Sequence, residues 1–229
     1  MSVLSKRIKQ AKELVDAEAS YELRDAVEII KKVPPVKFDE TVELSFKLGV
    51  DPRHADQMVR GSVLLPHGTG KTKIVLVFAK GDSAKDAKDA GADFVGDDDL
   101  IEKIQKGWFE FDAVVATPDM MKDIAKLGKA LGTKGLMPSP KAGTVTPNVK
   151  NAVTELKAGK LDFRVDKASG IHVAVGKISF NEDQIVENAV AVIEAIQKAK
   201  PSVAKGQYMK SAHIASTMGI GVRLDIASL

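Results

Sequence analysis

The sequence contains no cysteine, and this absence excludes several classes of protein at once. Disulfide scaffolds, thiolate metal centres, iron–sulfur clusters and cysteine nucleophiles all need this side chain. Long apolar runs are missing as well, because no stretch approaches the ~18 residues that a membrane span requires. The opening segment MSVLSKRIKQAKELV is basic and amphipathic, so we expect no signal peptide. These absences favour a protein of the reducing cytoplasm with no membrane partner.

A complete nucleotide-binding loop is also missing. Residues 68–72 read GTGKT, like the end of a P-loop, but position 65 holds leucine where the motif needs its first glycine. A P-loop continues into a helix, whereas the β-branched and aromatic run at 73–78 predicts a buried strand. We therefore interpret Pro66, His67 and Gly68 as a turn at which the chain passes from one domain to another.

Signatures of catalysis are scarce in the rest of the chain. No G-x-G-x-x-G motif follows a predicted strand, which argues against a dinucleotide site. The histidines are dispersed, at positions 54, 67, 172 and 213, and no pair has ligand spacing on a helix. We predict that the protein is not an enzyme, has no catalytic residues and uses neither a metal nor a cofactor. The alternatives are a nucleotide-binding α/β enzyme and a DNA-binding regulator, although no helix-turn-helix or zinc signature supports the second.

Charge is unevenly distributed along the chain. Residues 82–120 carry 4 basic and 11 acidic side chains, which a solvated surface explains. Residues 121–160 carry 8 basic and only 2 acidic side chains. A basic segment of this kind indicates a surface that binds a polyanion.

Strand and helix patterns alternate in the middle of the chain. Apolar strands are predicted at 73–80, 93–95 and 112–116, with helices between and after them. Thr117-Pro118 and Thr146-Pro147 each provide an N-cap followed by a proline in the first helical turn. This rhythm predicts an inserted α/β domain at residues 68–159, in which helices cover both faces of a small parallel sheet.

The two flanks have a different pattern. Four segments are predicted to be strands of an antiparallel sheet: 40–50, 161–178, 207–216 and 221–226. Asn181 is predicted to cap a long helix between them. Neither flank can close a core alone, so residues 1–67 and 160–229 are predicted to form one discontinuous α+β domain, an antiparallel sheet with helices. The two crossings, at Pro66-His67-Gly68 and at Gly159, are predicted hinges.

Residues 127–147, LGKALGTKGLMPSPKAGTVTP, are predicted to form a long loop. The segment contains four glycines, three prolines and three lysines, with no acidic residue. Prolines restrict such a loop, glycines allow close backbone approach to a ligand, and lysines supply cations for phosphates. Because loops of this length are usually functional or disordered, the composition favours contact with nucleic acid.

Several motifs together resemble one protein family. The stretch GKALGTKGLMPSPK at 128–141 resembles the signature of the ribosomal protein that forms the mobile side stalk of the large subunit, the L-one family of bacterial type. KFDETVE at 37–43, the run from 51 to 68 with DPR and RGSVLLPHG, and STMG at 216–219 agree in the same order. Two departures are Thr133-Lys134, where the family more often has Pro-Arg or Pro-Lys, and Ser139, where Asn is usual. The first keeps the charge but gives a less rigid turn.

The resemblance implies a fold and a function. The fold is a split α+β domain with an inserted Rossmann-like α/β domain that holds no nucleotide. The implied function is binding of a helical junction in large-subunit ribosomal RNA, mainly through the split domain. The family also acts where deacylated tRNA leaves the ribosome, and in bacteria it represses translation of its own operon by binding a similar mRNA structure. The implied partners are ribosomal RNA, tRNA at the exit site and operon mRNA, and the protein is expected to be a monomer off the ribosome.

Candidate binding residues come mainly from the matching motifs and from the strand–turn–strand at 164–172, which the resemblance places beside the RNA face. Taken alone, Phe38 fits a core position, but the resemblance places it on the RNA surface, where it can lie on a sugar or base. We expect Asp166 to hold Lys167 or Arg164 rather than to contact RNA, since its charge repels phosphate. The full RNA-binding set is Lys37, Phe38, Thr41, Glu43, Arg53, Arg60, Arg164, Asp166, Lys167, His172, Ser211, Thr217, Met218 and Gly219. A secondary basic group, the candidate tRNA contact, is Lys129, Lys134 and Lys141.

Overall fold

The structure is a computed structural model that describes residues 6–16 and 19–228, with the side chain of Lys141 outside the description. Its fold is mixed α/β and contains antiparallel and parallel sheets. Contacts divide the chain into two compact units: unit 1 is Met1–Gly70 with Leu161–Leu229, and unit 2 is Lys71–Lys160. None of the described helices combines the length and apolar character needed to cross a membrane.

The helices and strands of the described residues follow one another in a mixed order. The helices are α1 (Lys6–Glu13), α2 (Leu23–Lys32), α3 (Asp82–Asp89), α4 (Asp98–Gln105), α5 (Met121–Ile124), α6 (Gly128–Thr133), α7 (Val149–Ala158) and α8 (Glu182–Lys198). The strands are β1 (Thr41–Leu48), β2 (Arg60–Leu64), β3 (Val75–Phe78), β4 (Phe94–Gly96), β5 (Ala113–Ala116), β6 (Lys160–Arg164), β7 (Gly170–Lys177), β8 (Met209–Ser216) and β9 (Val222–Leu224). Short 3₁₀ turns connect several of these elements.

Unit 1 is built on an antiparallel sheet with the strand order β7-β1-β8-β9. Buried and more exposed side chains alternate along β1, because successive residues of a strand point to opposite faces. The apolar face packs in one core with α2 and α8, which contribute Val27, Ile30, Ala189 and Val192 among others. The other face therefore presents the polar side chains.

A buried asparagine of α8 joins three separate segments of unit 1. Asn188 is fully buried, and its Oδ1 accepts a hydrogen bond from the amide of His67 at 3.1 Å. Its Nδ2 donates to the carbonyls of Gly68 at 3.0 Å and Val175 at 2.7 Å. At a register shift in the pairing of β1 with β7, Val175 has no partner residue on β1. Asn188 therefore supplies the hydrogen-bond donor for the Val175 carbonyl.

Unit 2 contains a three-stranded parallel sheet with the order β4-β3-β5. The central strand β3 is buried along its whole length, because helices α4 to α6 cover one face of the sheet and α3 and α7 cover the other. The predicted strand after Gly70-Lys71-Thr72 is therefore correct. The helix that a P-loop requires at this point does not follow, since α3 begins only at Asp82.

The basic segment at 127–147 was wrongly predicted to be a loop throughout. Helix α6 occupies its first part, and a 3₁₀ turn at Pro140–Ala142 interrupts the rest. Leu127 and Leu131 lie one turn apart and are both buried against the sheet of unit 2. This spacing is typical of a helix, but the segment contains four glycines, which have a low helix propensity. The prediction of a loop followed the glycines and was wrong for this part.

The start of α7 also differs from its prediction. Asn148, not Thr146, is the N-cap, and its Oδ1 accepts a hydrogen bond from the amide of Asn151 at 3.3 Å. Thr146 instead accepts a hydrogen bond from the amide of Asn148 at 3.1 Å through its Oγ1. Asparagine and threonine are both favourable N-caps, so two candidates that lie two residues apart could not be distinguished by residue type.

Candidate nucleic-acid interface

One face of the unit 1 sheet gathers polar residues from several chain segments. This polar sheet face consists of Thr41, Glu43, Ser45, Lys47, His172, Ser211, His213 and Arg223. In the strand register Ser45 lies between His172 and His213, and His213 is paired with Arg223. Glu43, His172 and Ser211, predicted binding residues from three separate parts of the sequence, therefore share one surface.

Thr41 and Thr217 are joined at one end of this face. The amide of Thr41 donates to Thr217 Oγ1 at 3.0 Å, and the amide of Thr217 donates to the carbonyl of Thr41 at 3.0 Å. The Thr217 hydroxyl also donates to that carbonyl at 3.2 Å. These bonds fix the start of β1 against the bend that follows β8, although the two segments are far apart in sequence.

The bend itself, Ser216 to Gly219, is a tight turn. The amide of Gly219 donates to the carbonyl of Ser216 at 3.0 Å. A β-carbon at Gly219 would lie 2.4 Å from Ser216 Oγ, so only glycine fits without a shift of the buried serine. The turn therefore holds Thr217 and Met218 at its tip, where both are exposed.

Two large apolar side chains stand exposed at this end of the sheet. Phe38, three residues before β1, and Met218, in the bend, are each 52% exposed. Phe38 also lines a cavity of about 280 Å³ together with Ser216, which precedes the bend. Lys37 beside Phe38 is exposed as well. Exposed apolar side chains rimmed by polar residues mark an interaction surface, and an aromatic ring beside a cation suits stacking on a nucleotide.

Glu43 and His172 face one another across β1 and β7. Glu43 Oε1 lies 3.7 Å from His172 Nδ1, and Ser45 Oγ lies 3.0 Å from the same nitrogen. Both the glutamate and the histidine are exposed, so a ligand on the polar sheet face reaches them.

His213 is the more enclosed histidine of the polar sheet face. Burial lowers the pKa of His213 below its ordinary value, and the neighbouring guanidinium of Arg223 lowers this pKa further. His213 is therefore neutral at pH 7 in the free protein.

The turn between β6 and β7 shows that the predicted role of Asp166 was wrong. Asp166 Oδ1 accepts hydrogen bonds from the amides of Ala168 at 2.8 Å and Gly170 at 2.6 Å, and it does not hold Lys167 or Arg164. The bond from Gly170 is the largest cause that lowers the pKa of Asp166, with smaller contributions from Ala168, His172 and Lys47. An aspartate that closes its own turn in this way is a common device of short loops.

A basic cavity lies beside this turn. It has a volume of about 780 Å³, and its lining includes the candidates Arg53, Arg164 and Lys167, all three exposed. Arg164 Nη2 is 3.5 Å from the sulfur of Met58 on the cavity wall. Arg60, at the start of β2, is exposed but is not part of the cavity lining.

The candidate residues therefore form two groups at opposite ends of the unit 1 sheet. One group surrounds Phe38, Thr41 and the bend, and the other surrounds the basic cavity. From Thr41 to Lys47 the strand β1 spans roughly 20 Å, and the polar sheet face connects the groups. The candidate residues are therefore distributed along a track on one side of the sheet.

The secondary basic group lies in unit 2. Lys129 is exposed on α6, and Lys134 follows that helix with its ammonium 4.3 Å from the ring centre of Phe109. The departure Thr133 ends α6 with hydrogen bonds from its hydroxyl to the carbonyls of Lys129 and Ala130, both at 3.1 Å. The side chain of Lys141 lies outside the described residues.

The predicted hinge residues have defined contacts within their own units. His67 and Gly68 are bonded to Asn188, and His67 Nε2 lies 2.6 Å from Glu187 Oε2. Pro66 precedes them and is exposed. Gly159 is the C-cap of α7 with a φ of 111°, a conformation that favours glycine. Their role as hinges stays a prediction.

Several residues of the surface were missed by the sequence analysis. They are Arg7, Ser45, Lys47, Lys177, His213 and Arg223. Lys177 Nζ donates to Thr41 Oγ1 at 2.8 Å, and Lys47 Nζ donates to the carbonyl of Ala168. The period-two pattern of β1 and β8 was the available signal for Ser45, Lys47 and His213, because these positions alternate with the predicted apolar ones. For Arg7 no sequence signal existed.

An antiparallel sheet with helices on one face and polar and basic side chains on the other, with an exposed phenylalanine at one end, is an arrangement typical of a class of RNA-binding protein. Such a sheet presents stacking groups and cations to nucleotides, while its helices hold it rigid.

Residues 29–220 match the family described as the Ribosomal protein L1p/L10e family, and the chain belongs to it. It is therefore a large-subunit ribosomal protein that binds ribosomal RNA, in a structural family that is not an enzyme family. As part of the ribosome it is cytoplasmic. The family resemblance predicted from the motifs is confirmed.

Proposed function

We propose that the RNA surface of this protein is the polar sheet face together with Phe38 and the Thr217–Met218 bend, and that it binds a helical junction of large-subunit ribosomal RNA. The basic cavity with Arg53, Arg164 and Lys167 extends this surface toward the phosphate backbone. We further propose that the two units act as the predicted domains, residues 1–67 with 160–229 and residues 68–159.

The observation that carries this proposal is the pairing of Thr41 with Thr217. It brings the exposed ring of Phe38 and the exposed side chain of Met218 to the same end of one rigid sheet. A preformed arrangement of apolar contacts and cations loses little conformational entropy when RNA binds.

The hydroxyl of Thr217 supports RNA rather than DNA as the ligand. A hydroxyl has one donor and two acceptor sites. Its proton is given to the carbonyl of Thr41 and one acceptor site receives the amide of Thr41, so one acceptor site remains. A ribose 2′-hydroxyl can donate to that site, and deoxyribose has no such group.

The test is the affinity for an RNA fragment that contains the stalk junction, measured at fixed salt. Phe38→Ala should weaken binding roughly tenfold, because the loss of one base–aromatic stacking contact costs about 1–3 kcal/mol, and Met218→Ala should weaken it by a similar factor through the loss of apolar contact area. The matched control is the double variant Lys129→Ala with Lys134→Ala in unit 2, which should change this affinity less than about threefold. A loss in the control equal to that of the unit 1 variants would place the primary site in unit 2 and overturn the proposal.

We also propose that the protein assists the release of deacylated tRNA from the exit site, with the basic group of unit 2 as the tRNA contact. Lys129 is exposed and its segment has almost no acidic neighbours in sequence, which supports this assignment. The Lys129 and Lys134 double variant should then lose affinity for free tRNA while it keeps affinity for the ribosomal junction. A double variant that still binds tRNA like the unchanged protein would exclude these lysines.

Repression of the protein's own operon is proposed to use the unit 1 surface. An mRNA that imitates the ribosomal junction would compete for the same residues. Competition between the two RNA fragments should therefore be complete, and Met218→Ala should weaken both complexes to a similar extent. Simultaneous binding of both fragments would show a second site.

A further inference from the structure

The N-terminal helix α1 has one arginine that reaches the tip of the binding bend. Arg7 Nη2 donates a hydrogen bond to the carbonyl of Met218, 211 residues away in sequence. Arg7 Nη1 lies 3.7 Å from Glu40 Oε1, and Glu40 is buried, in the segment between Phe38 and β1. One guanidinium thus contacts both chain segments that form the exposed end of the surface.

Arg7 is held on the protein rather than presented to a ligand. Its side chain is only 21% exposed, whereas Lys6, Lys9 and Lys12 of the same helix are exposed. Ala11, one helical turn after Arg7, is buried, so Arg7 lies on the side of α1 that packs inward. Among the described residues Arg7 Nη1 has no hydrogen-bond partner, which leaves Glu40 as its nearby counter-charge.

The hydrogen bond to the carbonyl of Met218 affects the conformation of the bend, because the neighbouring residues of the bend are fixed by other hydrogen bonds. Thr217 is joined to Thr41, and the amide of Gly219 closes the turn on Ser216. The peptide between Met218 and Gly219 is oriented by the bond from Arg7. A planar guanidinium has two terminal nitrogens at a fixed angle, so it can connect two neighbouring groups in one geometry.

We propose that Arg7 is a positioning residue for RNA binding, which fixes the Met218 bend relative to the Phe38–Glu40 segment. The inference depends on the proposed RNA surface, since it concerns the shape of that surface. Arg7 itself would not touch a phosphate, because its charge is turned inward toward Glu40.

The experiment separates positioning from direct contact through the salt dependence of binding. Arg7→Ala should weaken binding of the junction RNA roughly tenfold, as loss of a charge-assisted hydrogen bond would. The slope of log K against log salt should remain unchanged, because Arg7 makes no phosphate contact in this proposal. The loss of a phosphate contact would reduce the steepness of that slope by about 0.7 to 0.9. Hydrogen exchange at the amides of Thr217 and Gly219 should become faster in the free variant.

Two further variants test the geometry and the charge. Arg7→Lys keeps the positive charge but loses the fork that spans both groups, so it should weaken binding in the same direction as Arg7→Ala. It also provides the test if Arg7→Ala does not fold. Lys9→Ala removes an exposed cation of the same helix and should leave the affinity, the salt slope and the exchange of the bend unchanged.

The outcomes separate this inference from the proposed function. If Phe38→Ala and Met218→Ala have no effect on the affinity for RNA, the proposed surface is wrong. If those two variants weaken binding while Arg7→Ala and Arg7→Lys bind like the unchanged protein, only the positioning role is refuted. A fall in the salt slope of Arg7→Ala would refute it too, since it would show Arg7 in contact with a phosphate.

Discussion

Asn188 offers the sharpest test of how unit 1 is held together. Its side chain is fully buried and serves three backbone groups, on His67, Gly68 and Val175. Asn188→Ala removes all three hydrogen bonds at once and provides no replacement. The residues affected include two of the predicted hinge positions, so the substitution also tests whether that segment is fixed on α8.

The size of the effect follows from the three bonds. Each net hydrogen bond contributes about 1 kcal/mol, and a buried carbonyl left without a donor adds a further cost. The bond to the Val175 carbonyl is buried and the two others are partly buried, so the additional cost applies mainly to Val175. We expect Asn188→Ala to lower the free energy of unfolding of unit 1 by about 3–4 kcal/mol.

The aromatic residues allow each unit to be followed separately during urea unfolding. The one tryptophan, Trp108, is in unit 2, and both tyrosines, Tyr21 and Tyr208, are in unit 1. Tyrosine emission and circular dichroism should show an earlier transition in Asn188→Ala. Tryptophan fluorescence excited at 295 nm, which reports on unit 2, should show the same midpoint as the unchanged protein.

The control for this experiment lies on the same helix. Glu194→Ala removes an exposed ion pair with Lys198, whose atoms are 3.1 Å apart, and should cost less than about 0.5 kcal/mol. A loss below about 1 kcal/mol for Asn188→Ala would refute the reasoning, because it would mean that water or local rearrangement replaces the three bonds.

Two further predictions follow from groups whose pKa is lowered in the folded protein. The pKa of His213 is lower in the folded protein than in the unfolded chain. When the pH is lowered, the unfolded chain therefore takes up the His213 proton before the folded protein does. The folded protein loses stability as the pH falls from about 7 through the ordinary histidine pKa near 6.5. His213→Gln should flatten the decline of the urea midpoint between pH 7.5 and 5.5, and an equal decline in both proteins would contradict the assignment. The pKa of Asp166 is also lowered, so Asp166 contributes stability at neutral pH that is lost as the pH falls below about 4. Asp166→Ala should accelerate hydrogen exchange of the Ala168 and Gly170 amides, because it removes the oxygen that accepts their hydrogen bonds. Asp166→Asn should accelerate this exchange much less, since the Asn side chain retains an acceptor. Unchanged protection of both amides in both variants would show that the turn does not need this acceptor.

Much of the fold could be predicted because its signals are local. Period-two alternation marks β1 and β7, since one face of that sheet is buried and the other is not. The apolar runs of β3 and β5 are buried on both sides, and helical segments follow both strands along the chain, which is typical of a parallel sheet. Errors occurred where two local signals competed, as for the glycine-rich but helical α6.

Part of the candidate site could be predicted for a different reason. The exposure of Phe38 does not follow from its residue type, because phenylalanine is usually buried. Only the motif around it, with its resemblance to an RNA-binding family, indicated a surface position. The side chain is in fact half exposed. The distribution of the candidates along a track also could not be read from the sequence, since it depends on which strands become neighbours.

The remaining residues act through partners that no local pattern specifies. Asn188 bonds to residues 120 and 121 positions earlier, and Arg7 bonds to Met218 at the other end of the chain. An arginine on an amphipathic helix gives the same sequence pattern whether it points to solvent or to a distant carbonyl. The choice is made by the global packing of α1, through the burial of Ala11 and the presence of Glu40 nearby. Residues of this kind determine how rigid the RNA surface is, although they contribute nothing to its exposed composition. Variants that alter Arg7 should therefore change affinity without changing the preference for RNA over DNA, whereas removal of the Thr217 hydroxyl should change both, as competition between RNA and DNA fragments would measure.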